Sequence, residues 1–256
     1  MGRLVILGTA AVVPDANHDN THMVLEGTDG AILIDCASNP VGRLQRVGIH
    51  YNALTDLILT HFHPDHVYGV PILLNNMWLL GRQKPLRVYG LNHCLMRVEE
   101  TMQFHSWNEW PDFFPVSFYP LLERSNQLVL ENSDFRITSW TVRHYVPTIG
   151  LRIENKRTGF VTAYTCDTAP TPSLLEFCQG ADLLIHEAAG EEPLGHSSAS
   201  QAGETATRTG AKQLVLIHYQ VFGRNGPVDP RPLVREAQET FAGPVQLAED
   251  FQTFEV

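Results

Sequence analysis

The chain lacks several features that would settle its class at once. No apolar run approaches the ~20 residues needed to span a bilayer, so no membrane association is expected. Basic residues are in deficit, with Lys and Arg numbering 18 against 28 Asp and Glu, for a formal charge of −10. A surface that grips nucleic acid along its length needs clustered Lys and Arg to meet the phosphates, and this balance weighs against one. A bound dication is often the largest charge in its site and would offset part of the excess locally. Cysteine is scarce. Cys36, Cys94, Cys166 and Cys178 show no CxxC spacing and are expected to be reduced, buried thiols of an intracellular enzyme. The opening "MGRLVILGTAAVVPDANHDN" has one basic residue, Arg3, and its apolar run ends at Pro14-Asp15 without a cleavage site. A first β-strand is the better reading than a secretory leader, and the expected compartment is the cytoplasm. Linkers, low-complexity segments and fixed-period repeats are also missing, which points to one domain over residues 1–256.

What is present is an ordinary globular composition, 43% hydrophobic and 18% charged, long enough to bury a sizeable core. In the first half, "RLVILG" is a buried strand. "HMVLEG" and "AILIDC" form a hairpin across Gly27-Thr28-Asp29-Gly30, and "LTDLILT" is a further strand. Helices are expected from Val67 to Leu80, stopped by Gly81, and from Asn92 as N-cap to about Phe104. In the second half, "FRITSWTVRH", "IGLRIEN", "FVTAYTCD", "ADLLIHE" and "KQLVLIHY" are strands. Ser198 and Gln201 are spaced as a capping box for a helix that Gly210 stops. A last helix is expected to start at Asp229-Pro230. Strands in two groups with helices interspersed predict an α/β fold of stacked sheets flanked by helices.

"ILTHFHPDHVYG", residues 58–69, concentrates His61, His63, Asp65 and His66 directly after an apolar strand. If the strand continues, His61 and His63 point the same way and grip one ion. Pro64 then ends it, and the turn brings Asp65 and His66 toward a second. Imidazole and carboxylate suit zinc, with manganese or iron as alternatives. A cluster without cysteine favours open, catalytic coordination over a closed structural site.

"THFHPDH" resembles the signature of the metallo-β-lactamase superfamily. The resemblance implies an αββα sandwich, two mixed β-sheets flanked by helices, with a two-metal site at one edge. It also implies three further ligands in chain order, and the chain offers His144 in "TVRHYVP", Asp167 in "AYTCDTA" and His218 in "LVLIHYQ". By this resemblance His61, His63 and His144 hold one ion, Asp65, His66 and His218 hold the other, and Asp167 bridges them. Such a pair lowers the pKa of a bridging water, so that hydroxide exists near neutrality, and stabilises charge on the attacked group. Asp65 would both ligate and orient that nucleophile.

Within the superfamily, "LGTAAVVPDANHDNTHMVL", "ILIDC", "LLIHEAA" and "GHSSASQAGETA" are similar to elements of the ribonuclease Z branch, which trims transfer RNA precursors. The resemblance implies that Glu187 and His196 work as a pair, His196 helping to protonate the leaving oxygen. The chain also departs from that branch. After His218 it reads "HYQVFGRNG" in place of a Ser-x-Arg-Tyr pattern, so Arg224 stands at another spacing for any phosphate role. Between His144 and Asp167 there is room for a hairpin and none for the long arm that grasps transfer RNA. The expected substrate is therefore a small phosphodiester or nucleotide, and transfer RNA is disfavoured. The same metal core would also serve a carboxylic ester, lactone or thioester hydrolase. A non-catalytic metal-binding or sensing protein is the third reading. A homodimer is typical of similar proteins. The aromatic-rich "FHSWNEWPDFFPVSFY", residues 104–119, reads as core or interface first and as a lid over the substrate second.

Overall fold

The computed structural model describes residues 2–192 and 194–256. In chain order, one sheet begins with β1 (Arg3–Gly8), β2 (His22–Gly27), β3 (Gly30–Ile34), β4 (Leu54–Ile58), β5 (Leu86–Leu91) and β6 (Val116–Leu121). A second holds β7 (Gln127–Glu131), β8 (Phe135–Val142), β9 (Thr148–Asn155), β10 (Val161–Tyr164), β11 (Leu183–Glu187) and β12 (Leu214–Ile217). A two-stranded hairpin of β13 (Phe222–Gly223) and β14 (Gly226–Pro227) follows. Then β15 (Val245–Leu247) extends the second sheet beside β12, and β16 (Thr253–Glu255) extends the first beside β1. Both sheets are mixed, with antiparallel pairs at one end and parallel pairs through β3–β6 and β10–β12 at the other.

Alternation along the strands builds three layers of core. Leu4, Ile6, Met23, Ile32 and Ile58 of the first sheet meet Ile137, Leu151, Ile153, Ile185 and Val215 of the second between the sheets. The opposite face of the first sheet is covered by α1 (Pro40–Arg46), α2 (Pro64–Val67), α3 (Val70–Leu79) and α4 (Asn92–Phe104), around Leu33, Leu57, Leu73, Leu74, Met77 and Val98. The outer face of the second sheet is covered by α5 (Pro172–Phe177), α6 (Ala199–Thr209) and α7 (Pro232–Gln238). This is the αββα sandwich.

The hairpin across Gly27 and Gly30 and the capped helix α6 form as expected. Ser198 and Gln201 complete the capping box, and Gly210 closes the helix at φ +65°, where a side chain would strain the backbone. Three helix boundaries differ. The helix predicted over Val67–Leu80 is two pieces. Pro71 has no N–H to give to Val67, and the Gly69 N–H turns to the Cys36 carbonyl at 2.8 Å. Asn92 is the first helical residue rather than the cap, its amide directed to Met96 Sδ at 3.3 Å. The last helix begins at Pro232, because the Asp229 carboxylate binds the Arg231 backbone and guanidinium instead of capping a helix at Pro230.

The aromatic segment splits. Phe114 is buried, and Trp107, Trp110, Phe113 and Phe118 pack on the core beneath α3 and α4, with Trp110 stacked on Trp78 at 4.8 Å. All four cysteines are buried and free. Among the described residues no helix is long and apolar enough to cross a membrane.

Candidate metal centre

The strand C-termini deliver the chemistry to one edge of the sandwich. The expected continuation of β4 through the histidines does not occur, since β4 ends at Ile58 and His61 and His63 lie in the loop that follows. They still converge, because Pro64 starts α2 immediately and folds the loop back on itself. His61 Nε2 lies 3.1 Å from His63 Nδ1, and His144 Nε2, just past β8, lies 3.1 Å from the same atom. Asp65 and His66 ride on α2, Asp167 follows β10, and His218 follows β12. The ligating atoms of His61, His63, His144 and Asp167 lie within 4.8 Å of one another, as do those of Asp65, His66 and His218. Asp167 stands between the groups. It lies 3.8 Å from His144 and 3.9 Å from His61 on one side, and 3.1 Å from His218 and 3.6 Å from His66 on the other.

Whether such a cluster suits cations can be decided from its outward contacts. His144 Nδ1 is 2.7 Å from the Gly195 carbonyl, which only accepts, so Nδ1 donates and Nε2 presents a lone pair inward. His66 Nδ1 donates to Asp35 at 2.8 Å, and its buried Nε2 has no hydrogen-bond partner. His61 Nδ1 donates to Thr60 Oγ1 at 3.1 Å, whose own proton goes to Asp35 at 2.9 Å. His218 Nδ1 turns to Thr21 Oγ1 at 3.1 Å. These four rings are held from outside, each with its other nitrogen aimed at the shared centre. Ring nitrogens of His61, His63 and His144 and the Asp167 carboxylate are thereby gathered within 4.8 Å of one another, and outer partners of this kind hold histidines ready for a cation. The donor set therefore fits divalent metal ions.

The charges of Asp167, His61 and His144 are arranged for the same end, and His66 is the exception. Burial opposes ionisation of Asp167, but His218 and His66 outweigh it and hold the carboxyl well below its usual range. Burial pushes His61 well down and His144 down to about 4, so both imidazoles are neutral donors. Burial would lower His66 too, yet Asp167 and Asp35 reverse the sign and raise it well above its ordinary value.

Beside this centre, Glu187 at the end of β11 is completely buried. It accepts hydrogen bonds from the Thr168, Ser197 and Ala189 amides at 2.9–3.0 Å and from His196 Nδ1 at 3.0 Å. His196 is left with Nε2 free, its ring stacked 5.9 Å from that of His218. Burial lowers a histidine pKa, but the Glu187 hydrogen bond prevails and raises that of His196. A cavity of about 940 Å³ lies over both groups, lined in part by His63, Asp65, Asp167, His196, His218 and Arg224. No residue of the aromatic segment 104–119 lines it, so the lid reading of that segment is set aside.

Asp35 and Thr21 escaped sequence reasoning. The first signal was available: an aspartate closing the apolar run "AILID" is out of place unless something buried needs its charge. Asp35 adopts φ +59°, which turns its carboxylate back onto Thr60 and His66. Thr21 carries no comparable signal, since its partner His218 is 197 residues away.

An αββα sandwich with paired His/Asp clusters at the strand ends defines a metal-binding protein of the metallo-β-lactamase fold. The chain belongs to the β-lactamase superfamily, whose domain matches residues 31–219. It is 26% identical to the ribonuclease Z of Methanothermobacter thermautotrophicus, over 100% of this chain and 97% of that protein. Among solved structures it is similar to the metallo-β-lactamase fold protein YhfI from Bacillus subtilis, with TM-score 0.81 and 25% identity, over 100% of this chain and 99% of that one. Human tRNase Z, short form, gives TM-score 0.78 and 25% identity, over 99% of each chain.

Proposed function

We propose that residues 1–256 form one catalytic domain, a dinuclear metal-dependent phosphodiesterase. The resemblance to proteins named ribonuclease Z along the whole chain supports this reading. The observation that carries it is the His196–Glu187 pair. Hydrolysis of a phosphodiester must expel an alkoxide, a poor leaving group, and a cationic imidazole at the cavity wall is suited to protonate it. Glu187 holds the proton on Nδ1, which leaves the Nε2 proton for the leaving oxygen, and its charge stabilises the imidazolium.

His61, His63 and His144 would hold one ion, and Asp65, His66 and His218 the other, with Asp167 shared. Imidazole and carboxylate donors suit zinc, with manganese or iron as alternatives. When bound, the ions supply positive charge opposite the phosphoryl oxygens and acidify a water. Asp65, whose carboxylate borders both the cavity and the metal cluster, orients the attacking oxygen and takes its proton. The hairpin of β9 and β10 fills the interval between His144 and Asp167 and pairs within the sheet. That supports a small phosphodiester or nucleotide as substrate over transfer RNA.

The experiment is hydrolysis of bis(p-nitrophenyl) phosphate by the zinc- or manganese-loaded protein, beside a lactone and p-nitrophenyl acetate. Phosphodiester turnover that a chelator abolishes is expected. Ester or lactone turnover with an inert phosphodiester would overturn the reading in favour of a carboxylic ester hydrolase. Inertness toward all three would favour a metal-binding or sensing role.

A further inference from the structure

The cavity over the metal centre has walls that the phosphodiesterase reading does not use. Tyr145, Phe222, Val12 and Val13 all line it and are 52%, 42%, 62% and 46% exposed. Exposed apolar side chains gathered on one cavity mark a ligand surface more than chance scatter does. Their supports differ. Tyr145 lies on the backbone of Gly195, so closely that a Cβ there would stand 2.5 Å from the ring, and its ring is 6.0 Å from that of His196. It is a fixed platform next to the proposed acid. Phe222 is carried in on the β13–β14 hairpin, followed two residues later by Arg224.

The charges on the same walls are uneven. Arg224 is the one Lys or Arg among the described lining residues. Glu191 and Glu192, on the loop after β11, contribute two carboxylates beyond those of the metal cluster. Ions in the cluster would attract one phosphate. A second or third phosphate further out would meet two carboxylates and a single guanidinium.

Resting on the phosphodiesterase reading, we propose that the cavity selects a substrate with one phosphate and one flat, uncharged group, a single-nucleotide ester rather than a polynucleotide. Tyr145 and Phe222 flank the flat group. Glu191 and Glu192 turn away additional phosphates, which makes them the specificity-determining residues. Flat rings gain from stacking on aromatic side chains whatever their substituents, so the selection is by charge and shape more than by base identity.

The test compares two esters on the metal-loaded protein, thymidine 5′-(p-nitrophenyl phosphate) and the same ester carrying a 3′-phosphate. In both, a water oxygen bonds to phosphorus, the phosphorus–aryl oxygen bond breaks, and p-nitrophenolate leaves. The 3′-phosphate is expected to lower kcat/KM by ~10-fold, and the ratio should shrink as salt is raised. The double variant Glu191→Gln, Glu192→Gln, altered at two exposed positions, should bring the esters to near parity. Phe222→Ala should raise KM for both esters by a larger factor than for methyl p-nitrophenyl phosphate, which has no base. Calorimetric titration with the two products, thymidine 5′-phosphate and thymidine 3′,5′-bisphosphate, reads the same selectivity without turnover. Equal use of the two esters, or a ratio unmoved in the double variant, would overturn the inference alone. If no ester is turned over, the phosphodiesterase reading falls, and the titrations still decide: tighter binding of the bisphosphate would overturn the selectivity as well.

Discussion

Asp35 and His66, 31 residues apart in sequence, meet as two completely buried side chains, with His66 Nδ1 2.8 Å from Asp35 Oδ2. The contact fixes which nitrogen of His66 faces the metal cluster, and the same carboxylate binds the Thr60 amide and hydroxyl at the start of the histidine loop. Outer partners of metal-bound histidines typically govern affinity by 10–100-fold. Asp35→Asn keeps the shape and loses the charge, and it is expected to weaken metal retention by about that factor. Competition with a chromogenic chelator measures this. Unchanged affinity would mean that Asp35 serves the loop and not the metal.

His196→Ala should leave metal content intact and lower turnover unequally. An acid matters most when the leaving group is a poor one, so a dinucleoside phosphate, which expels a sugar alkoxide, should slow by roughly 10²–10³-fold. A p-nitrophenyl ester, which expels a stable phenolate, should slow far less. Equal losses on the two substrates would remove His196 from the acid role. Because its pKa is raised, activity on the dinucleoside should decline with rising pH only above the range in which an ordinary histidine loses its proton.

The buried His186 gives a stability prediction. Burial lowers its pKa from 6.5 to about 4, with Nδ1 donating to the Glu187 carbonyl at 2.8 Å and Nε2 without a partner. The folded state thus holds it neutral while the unfolded chain protonates below pH 6.5. Stability is full above that value, is lost as pH falls toward 4, and loses no more below it. The total attributable to this group is about 3 kcal/mol. His186→Leu should start less stable at pH 7.5, having lost a hydrogen bond, and should show a flatter decline of the urea midpoint between pH 6.5 and 4. Parallel declines in the two proteins would assign the acid sensitivity to other groups.

Gly69 sits where α2 gives way to α3, and a Cβ there would approach the Cys36 and Ala37 carbonyl oxygens to 2.7 Å. Backbone cannot swing aside as a side-chain end can. Gly69→Ala should therefore push α2, with Asp65 and His66, off the loop that holds Asp35. A loss of about 1–3 kcal/mol in stability is expected, typical of overpacking, together with weaker metal binding. Thermal unfolding with and without metal measures both. A stability loss with metal affinity preserved would show that α2 gives way independently of the site.

How much of this was legible in the sequence depended on the range of each signal. The histidine cluster at residues 61–66 announces itself because its donors lie within one turn of chain. The capping box at Ser198 and Gln201 is equally local, and it forms as expected. α7 starts at Pro232, beyond the Asp229-Pro230 signal, because Asp229 has a competing partner in Arg231, two residues on, which residue type alone does not reveal. The aromatic segment was ambiguous because aromatic density predicts burial without saying against what. Packing on α3 and α4 settles that.

The sequence by itself determined the stacked-sheet α/β class and the cluster of His61, His63, Asp65 and His66, since alternating apolar strands and a run of donors are local properties of the chain. His144, Asp167 and His218 stand out in it only through the resemblance to a known superfamily. Only the tertiary structure decided how those donors are held. Asp35 behind His66, the Gly195 carbonyl behind His144 and Thr21 behind His218 are joined across 31, 51 and 197 residues. The same is true of the cavity walls, where Val12, Tyr145, Glu191 and Phe222 come from separate segments of the chain. Hydrogen bonds and charge act through a few ångströms of space, and nothing in local sequence records which distant residues the packing of two sheets will bring within that reach.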